Sequence, residues 1–116
     1  MQLLILILKK VDFVNDLIRA LAQGGVHGGT IIDSTGMANV LGNLDDLPMF
    51  SMLRKVINDE DGTKESCKTM LFVLKDEDVQ KTRQIIRNVL GDLSQPNTAV
   101  MFSVPVTFVE GLGETL

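Results

Sequence analysis

The 116 residues carry a formal net charge of -4, with 45% hydrophobic and 22% charged side chains, the make-up of a globular chain large enough for one domain with its own core. That charge argues against nucleic acid or an anionic membrane as partner, because both are held by clustered Lys and Arg. A single cysteine, Cys67, leaves no intramolecular disulfide and fits a reducing cytoplasm.

The opening run MQLLILIL reads as a buried strand. A signal peptide would place its charges first, whereas Lys9 and Lys10 follow the apolar run, with no small-residue cleavage site after it. The run is also far short of the ~20 residues that span a bilayer. Leu3 to Leu8 is continuously apolar, as expected of a strand covered on both faces. Asp12 is the expected N-cap of a helix whose buried face is Val14, Leu17, Ile18 and Leu21, and Gly24 and Gly25 end it. The β-branched Thr30, Ile31 and Ile32 mark a second strand.

Gly36, Gly42, Asn43, Asp45, Asp46 and Pro48 then belong to a long loop. Within it, a short helix over Asp45 to Asn58 would align Leu47, Phe50, Leu53 and Ile57 as an apolar stripe. Such a stripe either packs on its own oligomer or awaits a partner's groove. Asn58 to Gly62 reads as an exposed turn, and Asp59, Glu60 and Asp61 lack the ligand spacing of a calcium loop.

Lys68 to Lys75 is the third strand, and Asp76, Glu77 and Asp78 open a helix at the end where negative charge is favoured. Its buried face is Val79, Ile86, Val89 and Leu90. A loop over Gly91 to Thr98 leads to a last strand, Ala99 to Val109, in which Pro105 indicates an edge or a bulge. The sum is an α+β chain, a single domain over 1–116, of ferredoxin-like βαββαβ plan: an antiparallel sheet with two helices on one face and a long insertion between strands 2 and 3. In that plan strands 1 and 3 are central. Both are apolar on both faces, while two helices cover only one, so a homo-oligomer built through the sheets is expected.

With these elements in place, the chain resembles the nitrogen regulatory protein P-II superfamily over nearly its whole length. The likeness rests on Lys9 at the end of the first strand, on the helix end Ala22-Gln23-Gly24-Gly25-Val26, on the turn Gly28-Gly29-Thr30, and on Gly36. Gly113-Glu114 near the end also fits. The resemblance implies a homotrimer with adenine-nucleotide sites, for ATP or ADP, in the clefts between subunits. It also implies that the 37–66 stretch corresponds to the family's T-loop, which reshapes on effector binding and docks on a protein target. Carried onto this chain, the ligand-binding residues are Thr30, Gly36, Met37, Ala38, Asn39, Gln95, Asn97 and Thr98, and the partner-binding ones Leu47, Phe50, Leu53 and Ile57.

The chain departs from the family pattern where charge is needed. Ala38 stands for a second glycine, and Val40 for the glutamine that helps bind ATP, magnesium and 2-oxoglutarate. The Gly-rich phosphate loop with its lysine corresponds to Gln95, Pro96, Asn97 and Thr98, and two arginines of the last strand fall on Val109 and Gly111. Without any tyrosine, tyrosine modification of the loop is excluded.

Three function classes compete. A regulatory binding module leads, followed by a cyclic-dinucleotide receptor of the P-II-like fold and by a CutA-like structural or metal-tolerance trimer. An enzyme is not expected, since no nucleophile–base pair stands out. RNA binding would need aromatics on both central strands, and Phe72 alone qualifies. No metal site is expected: His27 has no neighbouring His or Cys and reads as a turn residue. Cys67 reads as a small buried hydrophobe, and Lys9 and Lys10 either reach a phosphate or simply solvate a strand end.

Overall fold

The computed structural model describes residues 1–37, 40 and 67–113. Ala38, Asn39, the stripe Leu47, Phe50, Leu53 and Ile57, the helix expected over 45–58, the acidic turn and Glu114 therefore lie outside the described residues. Among those described, the elements in chain order are β1 (Gln2–Leu8), a 3-10 turn (Val11–Phe13), α1 (Val14–Gln23), β2 (Thr30–Ser34), β3 (Cys67–Leu74), α2 (Asp76–Leu90) and β4 (Ala99–Pro105). The strands form one antiparallel sheet in the order β2-β3-β1-β4. This small α+β arrangement of four antiparallel strands and two helices is compatible with a ferredoxin-like fold, and β1 and β3 occupy the centre as expected.

Side chains of a strand alternate between faces, and directly paired residues share a face. Leu4 sits opposite Phe72, and Leu6 opposite both Met70 and Met101. These residues, with Leu8 and Leu74, are the floor of the core. Leu17 and Leu21 from α1 and Val79, Ile86 and Leu90 from α2 close over it. Both helices thus serve one face. The other face carries Leu3, Ile5 and Ile7 in the middle, flanked by Val73 and Leu71 on one side and by Val104, Phe102 and Val100 on the other. Phe102 is 45% exposed and Val100 48%, while Leu4, Leu6 and Leu8 on the helix side are at most 1% exposed.

Local chemistry explains where elements end. Gly25 has φ +92°, the left-handed region in which glycine is unstrained, and the Val26 N–H donates to the Leu21 carbonyl to close α1. Gly29 has a different reason: a Cβ there would lie 2.8 Å from the Phe72 ring, so the absence of a side chain lets the turn pass over a core aromatic.

Three expectations need correction. Asp12 does not cap α1. It sits inside the 3-10 turn, whose own backbone makes the start, with the Phe13 N–H donating to Lys10 and the Val14 N–H to Val11. Ile18 is 40% exposed because α1 overhangs the edge strand β2, beyond which no described element covers it. The last strand stops at Pro105, not Val109: its register with β1 ends opposite Gln2, and only the Val106 N–H, donating to the Met1 carbonyl at 3.1 Å, follows.

A paired substitution tests this packing. Gly29→Val drives side-chain atoms into the Phe72 ring and is expected to destabilise the fold by ~1–3 kcal/mol, the usual scale of overpacking. Gly36→Val should be near neutral, since a Cβ there meets nothing within 4 Å among the described residues. Urea unfolding of both variants beside the parent chain checks the contrast.

Candidate functional site

Of the candidate ligand residues, Gly36, Met37, Gln95, Asn97 and Thr98 fall at one end of the sheet, but on opposite edges. A single row of paired residues crosses that end: Asp33 on β2, Lys68 on β3, Leu8 on β1 and Ala99 on β4. Gly36 and Met37 lie just beyond β2, and Gln95, Asn97 and Thr98 just before β4. Three strand spacings separate the two edges, roughly 14 Å. Thr30 begins β2 opposite Leu71, roughly 13 Å up the strand from Ser34. Within one subunit the structure therefore does not bring the two halves of the candidate site together. It does not gather Thr30 with Gly36 either.

The β4 edge is the more firmly built half. The Thr98 carbonyl accepts from the N–H of Lys9 at 2.9 Å and of Lys10 at 3.2 Å, tying this loop to the end of β1. Thr98 is only 1% exposed, and its hydroxyl donates to the Pro96 carbonyl at 3.4 Å, so it acts from inside the loop. Asn97 has φ +59°, a left-handed conformation that asparagine tolerates better than most side chains. Asp92 starts the loop by accepting from both the N–H (3.0 Å) and the hydroxyl (2.7 Å) of Ser94, bonds that hold its carboxyl below the usual carboxylate range.

Among the described residues, three lysines stand near this end. Lys68 pairs with Asp33 across the strands, and the Lys10 ammonium lies over the Phe13 ring, 5.8 Å from its centroid. Lys9 is exposed and, among the described residues, has no ion-pair partner.

At the β2 edge, Gly36 has space around it, Met37 is 75% exposed, and the Val40 N–H donates to the Gly36 carbonyl at 3.4 Å. The other end of β2 borders two adjoining cavities that meet at the turn from Val26 to Gly28. One, of about 290 Å³, opens between this turn and the start of α2, with Lys75, Asp78 and Lys81 around it. The other, of about 170 Å³, runs between α1 and β2 and is walled by Ile18, Ile31 and Phe72, with Thr30 at its rim. Exposed His27 borders both, a position that its lack of His or Cys neighbours in sequence did not bring forward. No group of three or more potential metal ligands occurs among the described residues. Cys67 is buried, as its small apolar reading required. Among the same residues no helix is long and apolar enough to cross a membrane.

No protein-family model and no curated protein matches this chain. Among solved structures, a protein from Pediococcus pentosaceus ATCC 25745, described as functionally unknown, is similar over 96% of this chain and 96% of that chain. The TM-score is 0.60 at 16% sequence identity, so the likeness shows a shared fold and nothing of activity.

The backbone at Asn97 gives this loop a direct test. Asn97→Ala should cost ~1 kcal/mol, the penalty of a left-handed residue with an ordinary Cβ, whereas Asn97→Gly should be tolerated. Equal midpoints for the two variants in urea would show that the side chain, not the backbone conformation, selects asparagine here.

Proposed function

We propose that this chain is a P-II-like regulatory binding protein: a cytoplasmic homotrimer that holds a small effector, ATP or ADP or a related adenyl compound, between subunits and signals to a protein target through residues 37–66. On this reading the fold is ferredoxin-like in the full sense, βαββαβ with 37–66 as the T-loop-like insertion. The observation that carries the proposal is the placing of the two candidate half-sites on opposite edges of one sheet end. No single copy closes around a phosphate with both, while the β2 edge of one copy and the β4 edge of the next can.

The open face supports the same arrangement. Leu3, Ile5, Ile7, Leu71, Val73 and the β4 row form a continuous apolar surface of the kind that subunits bury against each other. Gly36 fits as well: no described residue fills the space beside it, so its missing side chain leaves room for something arriving from outside. Lys9, rooted through its backbone at Thr98, is the cation best placed to offset a phosphate where the family's own lysine is missing. A cyclic dinucleotide, with less negative charge to neutralise than a triphosphate, is the second ligand class that this sparse set of cations favours.

Two measurements test the reading. Light scattering after size exclusion should give three times the chain mass, and Phe102→Glu, which places a charge on the open face, should give a monomer. A trimer that persists unchanged in that variant would remove the sheet from the interface. Thermal shift against ATP, ADP, AMP, cyclic dinucleotides and 2-oxoglutarate, with and without magnesium, should show one stabilising ligand. At a hundredfold excess over its dissociation constant the stabilisation is ~2.7 kcal/mol. That shift should vanish in Gly36→Val while the unliganded melting temperature stays put; silence from every compound would sink the nucleotide reading.

A further inference from the structure

On the helix side of the sheet, α2 and β4 border a groove of about 660 Å³. Its size lies within the range of small-molecule sites. Arg83 and Arg87 stand one turn apart on α2 and both border it, with Gln2, Ser94 and Ser103 around them. Neither arginine forms an ion pair among the described residues. Arg83 donates to the Gln80 side chain at 3.1 Å. The Nε of Arg87 is out of contact with solvent and has no hydrogen-bond partner among the described residues.

A guanidinium stays charged at every pH the fold survives, and a buried donor on it without an acceptor is costly. The carboxylates bordering the same groove do not relieve it. Asp92 is engaged by Ser94 through both the backbone N–H and the hydroxyl. Asp76 opens α2 eleven residues before Arg87, roughly 16 Å along the axis. The groove thus presents two cations, one with an unused buried donor, beside serine and amide groups able to add hydrogen bonds.

We propose that the α2–β4 groove binds a small oxyanion, a phosphate or carboxylate group of a metabolite, with Arg87 and Arg83 as its paired ligands. A planar fork of N–H donors suits two oxygens of either group. The site is separate from the sheet-end residues and stands whether or not those bind a nucleotide. It does share their connector, since Ser94 borders the groove and Gln95 follows it.

The test follows the Nε–H resonance of Arg87 in nitrogen-edited NMR spectra of the full chain. Inorganic phosphate and, separately, malonate are titrated at constant ionic strength against sodium chloride. The expected result is a saturable shift of Arg87, with Arg83 moving alongside it, and none with chloride. A response to phosphate alone assigns a phosphoryl group, to malonate alone a carboxylate, and to both a general oxyanion site. Arg87→Gln should weaken binding about tenfold or more, as loss of a charge-assisted contact does. Without anion its melting temperature should equal or exceed that of the parent chain, because the change removes a buried donor that has no acceptor among the described residues. An Arg87 signal that moves no more with phosphate or malonate than with chloride would overturn the proposal. So would an Arg87→Gln chain that is destabilised yet binds anion as before.

Discussion

Strict alternation of side chains across the sheet is the constraint on which the rest of the molecule depends. β1 and β3 are apolar at nearly every position, so any register that buries Leu4, Leu6 and Leu8 beneath the helices turns Leu3, Ile5 and Ile7 outward. A slip of one residue would exchange the two sets and gain nothing, because both are leucine and isoleucine. What fixes the register is shape. On the helix side Phe72 needs the bare backbone of Gly29 beside it. The outward set is then an apolar face by consequence.

Much of this was legible in the residues. The apolar runs announced central strands, the three- and four-residue spacing of Leu17, Leu21, Val79, Ile86 and Leu90 announced two helices on one side, and Gly25 marked the end of α1. The misses have physical causes. Asp12 has the chemistry of a cap, but two lysine N–H groups bonded to Thr98 turn the chain first, and the backbone then supplies its own partners. Ile18 has the right spacing to be buried, yet spacing says nothing of where a sheet stops. Its exposure follows from β2 being an edge.

The candidate site was legible only in part, because a site made from two edges has no local signature. Gly36 and the Gln95 to Thr98 loop were picked out by resemblance and order along the chain. Strand pairing then showed them a whole sheet width apart. Arg83 and Arg87 were passed over for the opposite reason: an arginine every fourth residue on a helix is usual on solvated faces. Only the tertiary fact that β4 lies beside them, and that the Arg87 Nε is shut away from water, separates this pair from ordinary surface charge.

The connector from Gly91 to Thr98 is where these observations meet. Its ends and middle are all held: the Gly91 N–H on Arg87, Asp92 on Ser94, the Gln95 N–H on the Asp92 carbonyl at 3.2 Å, Asn97 in a left-handed turn, and Thr98 buried against the end of β1. A loop so held has little freedom left to lose on meeting a ligand, which favours binding without new contacts. It also passes from a groove bordered by two arginines that have no ion-pair partner among the described residues to a sheet end where Lys9, Lys10 and Lys68 stand. Among the described residues, an anion therefore meets Arg83 and Arg87 on one side of this connector and Lys9 on the other, where Lys68 is already engaged by Asp33.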